Sequence, residues 1–376
     1  MATRGLSVPV RESIERQAVS TIGLDLLVGL LSALLIGGVY LDGWAHIHRG
    51  QIETFFTPWH AVLYSGFVAV AAVLIGATLR NRRGGFIGTR AIPAGYEQSV
   101  LGVMLFAVGG IADMLWHVGF GIEVDLEALL SPTHLLLASG GVLIVSGPFR
   151  AAWLERRDPE PTLKGYFPIL LSMTLLMAVL GFMSQYMHPF GTTWAAGTRG
   201  QEWLGEVGQA RVSGFTIESY FTFFSQLATI GGIILQTSIF IGLVLLAIRR
   251  WTLPAGSLSL MLTASIAMMT LMRTRFIAPG PLPMIAVAAM AGAAADVLLV
   301  KLRPSPERRA AARWFAFTVP VVLYAVYFAA LALTVGTWWS IHMWTGAIVL
   351  SGLVGLLTSF LVVPLPNSYP VHSSDR

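Results

Sequence analysis

The 376-residue chain contains no cysteine. Disulfides, thiolate metal sites, iron–sulfur clusters and a cysteine nucleophile are therefore excluded. Charge is also scarce: 11% of the residues are Asp, Glu, Lys or Arg, against about 25% in an ordinary soluble domain. So few charges cannot solvate a globular surface. This excludes a soluble enzyme, a disordered chain and a nucleic-acid binder, despite a formal charge of +5. Apolar residues make up 55% of the chain, and the mean hydropathy is +0.72. The class implied is all-α, a polytopic helical bundle in a lipid bilayer.

Ten stretches are long enough to cross about 30 Å of hydrocarbon as helices. They lie near 21–41, 60–79, 98–119, 133–149, 166–187, 219–248, 253–272, 276–300, 314–335 and 345–365. With both termini inside, 19 of the 24 Lys and Arg residues face the cytoplasm, as the positive-inside rule requires. The expected location is a cell membrane crossed many times. Four regions follow: a cytoplasmic lead-in over 1–20, a four-helix unit over 21–150, a six-helix unit over 151–365, and a cytoplasmic tail over 366–376. The seam after residue 150 is placed at the connector Asp158-Pro-Glu-Pro161. Segment 188–217 reads as an interfacial cap.

A repeat gathers the few ionisable residues. The first copy runs Asp42-x-x-x-His46, then Glu53, Thr57-Pro58-x-His60 and Ser65-Gly66. The second runs Asp113-x-x-x-His117, then Glu127, Ser131-Pro132-x-His134 and Ser139-Gly140. Asp and His four residues apart share one helix face. Thr or Ser followed by Pro predicts an N-cap and first helical residue, so the second His of each copy falls in the first turn of a returning helix. Each hairpin thus aims a carboxylate and two imidazoles at one point on the extracytoplasmic side. Ionisable groups at membrane depth are costly and mark function by default; structural hydrogen bonding is the plainer alternative. Asp42, His46, His60, Asp113, His117 and His134 are the candidate metal ligands, and such donors suit copper, zinc or iron. Glu53 and Glu127 either accept from the other N–H of a ligating imidazole or are carboxylates favoured at a helix start, or serve as further possible ligands. His48, His188 and His342 lie on the same side as further candidate ligands or interfacial anchors. The Ser-Gly pairs read as close-packing positions, and Arg273 as snorkelling or neutralising a carboxylate of the site.

On these motifs, over residues 21–145, the chain resembles the C subunit of the copper-dependent particulate methane and ammonia monooxygenases. The likeness rests on Asp42-Gly-Trp-Ala-His46 with Phe56-Thr57-Pro58-Trp59-His60, and on Asp113-Met-Leu-Trp-His117 with Ser131-Pro132-Thr133-His134. An acid seven residues before the last His of each copy also fits. Asp113 stands where the family often has Asn, and six further spans have no part in the likeness. The resemblance implies copper, O2 chemistry on a small apolar substrate, an external electron donor such as a quinol or partner protein, and partner subunits or a homo-oligomer. Whether the chain is catalytic is left open. The competing classes are a metal-binding or metal-transport membrane protein without oxidative chemistry, and a zinc-dependent membrane hydrolase. Bis-imidazole haem ligation leaves the recurring carboxylates without a place.

Overall fold

The computed structural model describes residues 17–49, 55–121, 126–155, 157–198, 211–212 and 215–363. The expectations for the first 16 residues, the tail from Pro366 and Glu53 lie outside the described residues, as does much of the expected cap. The helices are α1 (Ile22–His48), α2 (Pro58–Arg83), α3 (Glu97–Phe120), the short α4 (Glu127–Leu130), α5 (Pro132–Val145), α6 (Gly147–Leu154), α7 (Leu163–Met183), the short α8 (Pro189–Thr192), α9 (Ile217–Ile248), α10 (Ser257–Met272), α11 (Pro281–Leu302), α12 (Arg309–Thr334) and α13 (Ile341–Val362). Apart from a two-residue antiparallel ladder pairing Arg211 with Thr216 and Val212 with Phe215, the described architecture is helical.

Among the described residues, eight helices are long and apolar enough to cross a membrane. Their surfaces carry the signature of lipid. On α3, Leu101, Met104, Val108, Ile111 and Leu115 repeat at helical spacing and are all exposed. The opposite face, with Ser99, Gly102, Phe106, Gly109 and Asp113, is buried. An apolar stripe turned outward inverts the pattern of a soluble helix.

Two of the ten expected spans differ. The fourth is broken at Ser146, where α5 and α6 meet at a bend of 40°. Gly147-Pro148 opens α6, and a proline has no N–H to continue the ladder. Nearby carbonyls find side-chain donors instead. Leu143 O accepts from Ser99 Oγ at 3.0 Å and from Arg150 Nη2 at 2.9 Å, and Val145 O accepts from Ser172 Oγ at 2.6 Å. The seventh is only 16 residues long, because Pro254 and the left-handed Gly256 (φ 92°) keep its expected first residues out of the helix.

The chain divides into two compact units, one of Met1–Thr193 with Leu260–Ala286, the other of Trp194–Ser259 with Val287–Arg376. This division does not fall at the connector near residue 158. In the first unit α7 packs on α1, with Tyr40 Oη donating to Ala178 O at 2.9 Å. Asp25 of α1 is buried and meets Arg157 at 2.6 Å, Ser20 Oγ at 2.6 Å and Tyr96 Oη at 2.8 Å. In the second unit, buried Asp296 of α11 accepts from the backbone N–H of Leu258 and Ser259, both at 3.0 Å. That carboxylate satisfies donors left open at a helix start.

Glycine sets the spacing of both motif-bearing helix pairs. A Cβ on Gly66 of α2 would stand 2.5 Å from Leu35 N, and one on Gly38 of α1 would stand 2.5 Å from Leu63 Cα. In α3 and α5, a Cβ on Gly102 would lie 2.7 Å from Gly140 O, and one on Gly140 would lie 2.9 Å from Gly102 O. Ser65 and Ser139 return their hydroxyls to carbonyls of their own helices. Gly66→Ala is expected to destabilise by about 1–3 kcal/mol, the cost of overpacking. Gly37→Ala, with nothing within 4 Å of the added atom, should be neutral or slightly stabilising. Thermal unfolding of both variants in detergent checks the contrast.

Candidate metal centre

The returning helices begin where their capping residues dictate. Thr57 is the N-cap of α2, its hydroxyl accepting from His60 N at 3.1 Å, with Pro58 as first helical residue. Ser131 caps α5 in the same way, accepting from His134 N at 3.4 Å ahead of Pro132. Each second histidine is thereby held in a first helical turn, beside the outgoing helix that carries the carboxylate.

The distances around each carboxylate repeat. In one set His46 Nε2 lies 3.6 Å from Asp42 Oδ2, and His60 Nε2 lies 3.5 Å from Asp42 Oδ1. In the other, His117 Nε2 lies 3.5 Å from Asp113 Oδ2, and His134 Nε2 lies 3.4 Å from Asp113 Oδ1. Among the described residues, Asp113, His117 and His134 form a group of three whose donor atoms all lie within 4.8 Å of one another. All six residues line one cavity of about 390 Å³ within the first unit. Phe55 stands between the sets, its ring centroid 4.7 Å from that of His60 and 6.2 Å from that of His117.

The far side of each ring defines its near side. His60 Nδ1 meets Phe55 O at 2.5 Å, His117 Nδ1 meets Gly121 O at 3.3 Å, and His134 Nδ1 meets Ser131 Oγ at 2.7 Å. A carbonyl only accepts, so His60 and His117 carry a proton on Nδ1 and, when neutral, present the Nε2 lone pair to a carboxylate oxygen. Two lone pairs face to face repel unless a cation or a proton stands between them. A charge-assisted N–H···O bond would close to about 2.7–2.9 Å, shorter than any of the four contacts. Two ligands on one tetrahedral ion, each about 2.1 Å from it, stand about 3.4 Å apart. Asp42 Oδ1 adds an independent sign, being a buried carboxylate oxygen with no hydrogen-bond partner. Asp113, His117 and His134 therefore fit a metal ion, whereas the donor atoms of Asp42, His46 and His60 do not come together as such a group of three.

The two sets are not equivalent. Thr133 Oγ1 donates to Asp113 Oδ1 at 2.9 Å, and Ser131 Oγ lies 3.2 Å from Thr133 Oγ1. The corresponding position of the first copy is Trp59, which packs edge-on to Trp44 at 6.4 Å. The residue between Pro and His of the motif was the available signal for this difference, a hydroxyl in one copy and an indole in the other.

The remaining sequence candidates are placed apart from the carboxylates. His48 turns to its own helix, with Nδ1 2.9 Å from Trp44 O and its ring stacked on that indole. Glu127 is exposed in the first turn of α4. His188 is buried as the N-cap of α8, its Nδ1 accepting from Phe190 N at 3.2 Å. His342, in the second unit, is exposed in the first turn of α13. Sequence reasoning passed over Tyr64, Gln185 and Tyr186, which line the cavity with Arg273. Comparison with protein-family models, with curated proteins and with solved structures returns no match.

Thr133→Val removes the hydroxyl that holds Asp113 and is expected to lower metal affinity by about 10–100-fold at one of two sites, read by isothermal titration of metal into apoprotein. Burial, with Arg273 nearby, pushes the His188 imidazole down to about 3. The unfolded chain then takes up this proton near pH 6.5 while the folded chain refuses it, so stability falls as pH drops from about 6.5 toward 3. His188→Gln should flatten the dependence of Tm on pH across pH 4–6.5.

Proposed function

We propose that this protein is a copper-dependent membrane oxidase of the monooxygenase type, with Asp113, His117, His134 and Asp42, His46, His60 as two metal sites opening on one chamber. The observation that carries the metal is the grouping of Asp113, His117 and His134, whose donor atoms all lie within 4.8 Å of one another; the carboxylate–imidazole distances of the first copy repeat those of the second. The resemblance of the doubled motif supports copper and the reaction class. The reading treats the two hairpins as a repeated metal-binding unit within a bundle of about ten spans, with the sites toward the extracytoplasmic face.

A copper ion held by Asp113, His117 and His134 would supply O2 activation for inserting one oxygen atom into a C–H or N–H bond, the other oxygen leaving as water with two electrons and two protons from a quinol or a partner protein. The chain's own residues do the rest. Ile36, Val39, Leu63, Phe106 and Leu137 give the chamber an apolar lining, which admits an apolar substrate from the bilayer and disfavours bulk water. Thr133 keeps Asp113 Oδ1 hydrogen-bonded in the ionised, ligating form.

Metal analysis of the purified protein, with EPR, is expected to find two copper ions per chain. His134→Ala and His60→Ala should each remove one, and O2 uptake should depend on copper and an added quinol. Zinc alone with lipid ester or amide cleavage would instead establish a hydrolase, and metal flux into proteoliposomes a transporter. Full retention of metal in both variants would reduce the clusters to structural hydrogen bonding.

A further inference from the structure

The second unit concentrates cations where α12 begins. Along 301–313 the chain carries Lys301, Arg303, Arg308, Arg309 and Arg313 against one acid, Glu307, whose carboxylate accepts from the Ser305 hydroxyl. The N-cap of α12, Arg308, supplies no side-chain cap, and no acid stands in the first turn. Helix starts normally attract negative charge, because the dipole is positive there; this one gathers cations instead. Arg309 and Arg313 lie one turn apart on one helix face. Both are half-buried, and the Nε of each is buried with no hydrogen-bond partner among the described residues. A cation drawn out of water without an acceptor is costly, so the pair favours an anionic partner.

An apolar track on α13 leads to the same place. Val349, Leu353, Leu357 and Leu361 recur every four residues and are all exposed, Leu361 to 86%. Phe360, exposed beside them, lies under Arg313, whose Cζ stands 3.9 Å from the ring centroid. The two helices pack tightly at this level, Gly355 facing Ala316 O with no room for a Cβ. A ring against the face of a guanidinium leaves the in-plane N–H groups to an acceptor at its edge. Trp314, exposed next to Arg313, is the residue type enriched where hydrocarbon meets headgroups. At about 1.5 Å per residue, the track from Val349 to Leu361 runs about 18 Å. That is a little more than one leaflet of a hydrocarbon core about 30 Å thick.

We propose that Arg309 and Arg313 bind the phosphate of an anionic phospholipid, one of whose acyl chains lies along Val349, Leu353, Leu357 and Leu361. Guanidinium forks match phosphate oxygens, and basic pockets between membrane helices are a recurring form of headgroup site. The track favours a lipid over a free phosphate, because it continues the site into the hydrocarbon for the depth of a leaflet. The surplus of cations along 301–313 favours a lipid of net negative charge over a zwitterionic one. The site lies within the second unit and is independent of the metal reading.

The test uses the full-length protein, delipidated in detergent, with bound lipid counted by native mass spectrometry. Dioleoyl phosphatidylglycerol is expected to fill one saturable site about fivefold or more tighter than dioleoyl phosphatidylcholine. Arg309→Gln and Arg313→Gln should each weaken phosphatidylglycerol by about fivefold, the share of one cation near an anionic surface. Arg303→Gln removes an exposed cation of the same run and should change the affinity by less than about twofold. Should Arg313→Gln lose monodispersity, Arg309→Gln decides the matter. Equal affinity for the two lipids, or undiminished binding by the Arg309 and Arg313 variants, overturns the proposal. An equal loss in Arg303→Gln overturns it too, marking a diffuse basic surface rather than a site. Inorganic phosphate displacing the lipid at matched concentration would assign the site to free phosphate and overturn the lipid as its occupant.

Discussion

A carboxylate buried among apolar helices has no water to turn to, and the first unit and its neighbour are organised around that constraint. Asp25 meets a guanidinium, a phenol and a serine hydroxyl. Asp296 meets two backbone N–H groups at a helix start and the Ser259 hydroxyl. Those two acids are satisfied, and each fastens one part of the chain to another. Asp42 and Asp113 instead face imidazoles, at 3.4–3.6 Å; Asp113 Oδ1 also accepts from Thr133, while Asp42 Oδ1 has no hydrogen-bond partner. Buried carboxylates grouped with imidazoles in a low-dielectric setting are suited to hold a cation.

Helix ends convert this chemistry into geometry. A Thr-Pro or Ser-Pro pair decides where the returning helix starts, and hence which atoms of the following histidine reach the carboxylate. Close glycine contacts between α1 and α2, and between α3 and α5, hold each returning helix within reach. Backbone carbonyls behind His60 and His117 then set the tautomer. Each layer is modest by itself; together they point two sets of donors into one enclosure.

Much of this was legible in the chain. The spacing of Asp42 to His46 and of Asp113 to His117 fell on one helix face because helical periodicity is local, and both predicted caps are realised for the same reason. Span boundaries were less legible where local and apolar signals conflicted. Gly147-Pro148 breaks a stretch that is apolar throughout, and Pro254 shortens another. His188 and Arg273 were ambiguous, because an isolated polar residue near a span end carries no sign of what it faces. Only packing made one a helix cap and the other part of the cavity wall.

Composition and spacing alone determined the membrane class, the positions of the helices and the six candidate ligands, since hydropathy, caps and helical period depend on neighbouring residues. Tertiary structure decided that both sets of candidate ligands line one cavity, that Thr133 hydrogen-bonds to one carboxylate and not the other, and that residues from beyond 150, Arg273 among them, line the same cavity. Those contacts join positions separated by tens to hundreds of residues. Their existence depends on how helices approach one another, which no local pattern encodes.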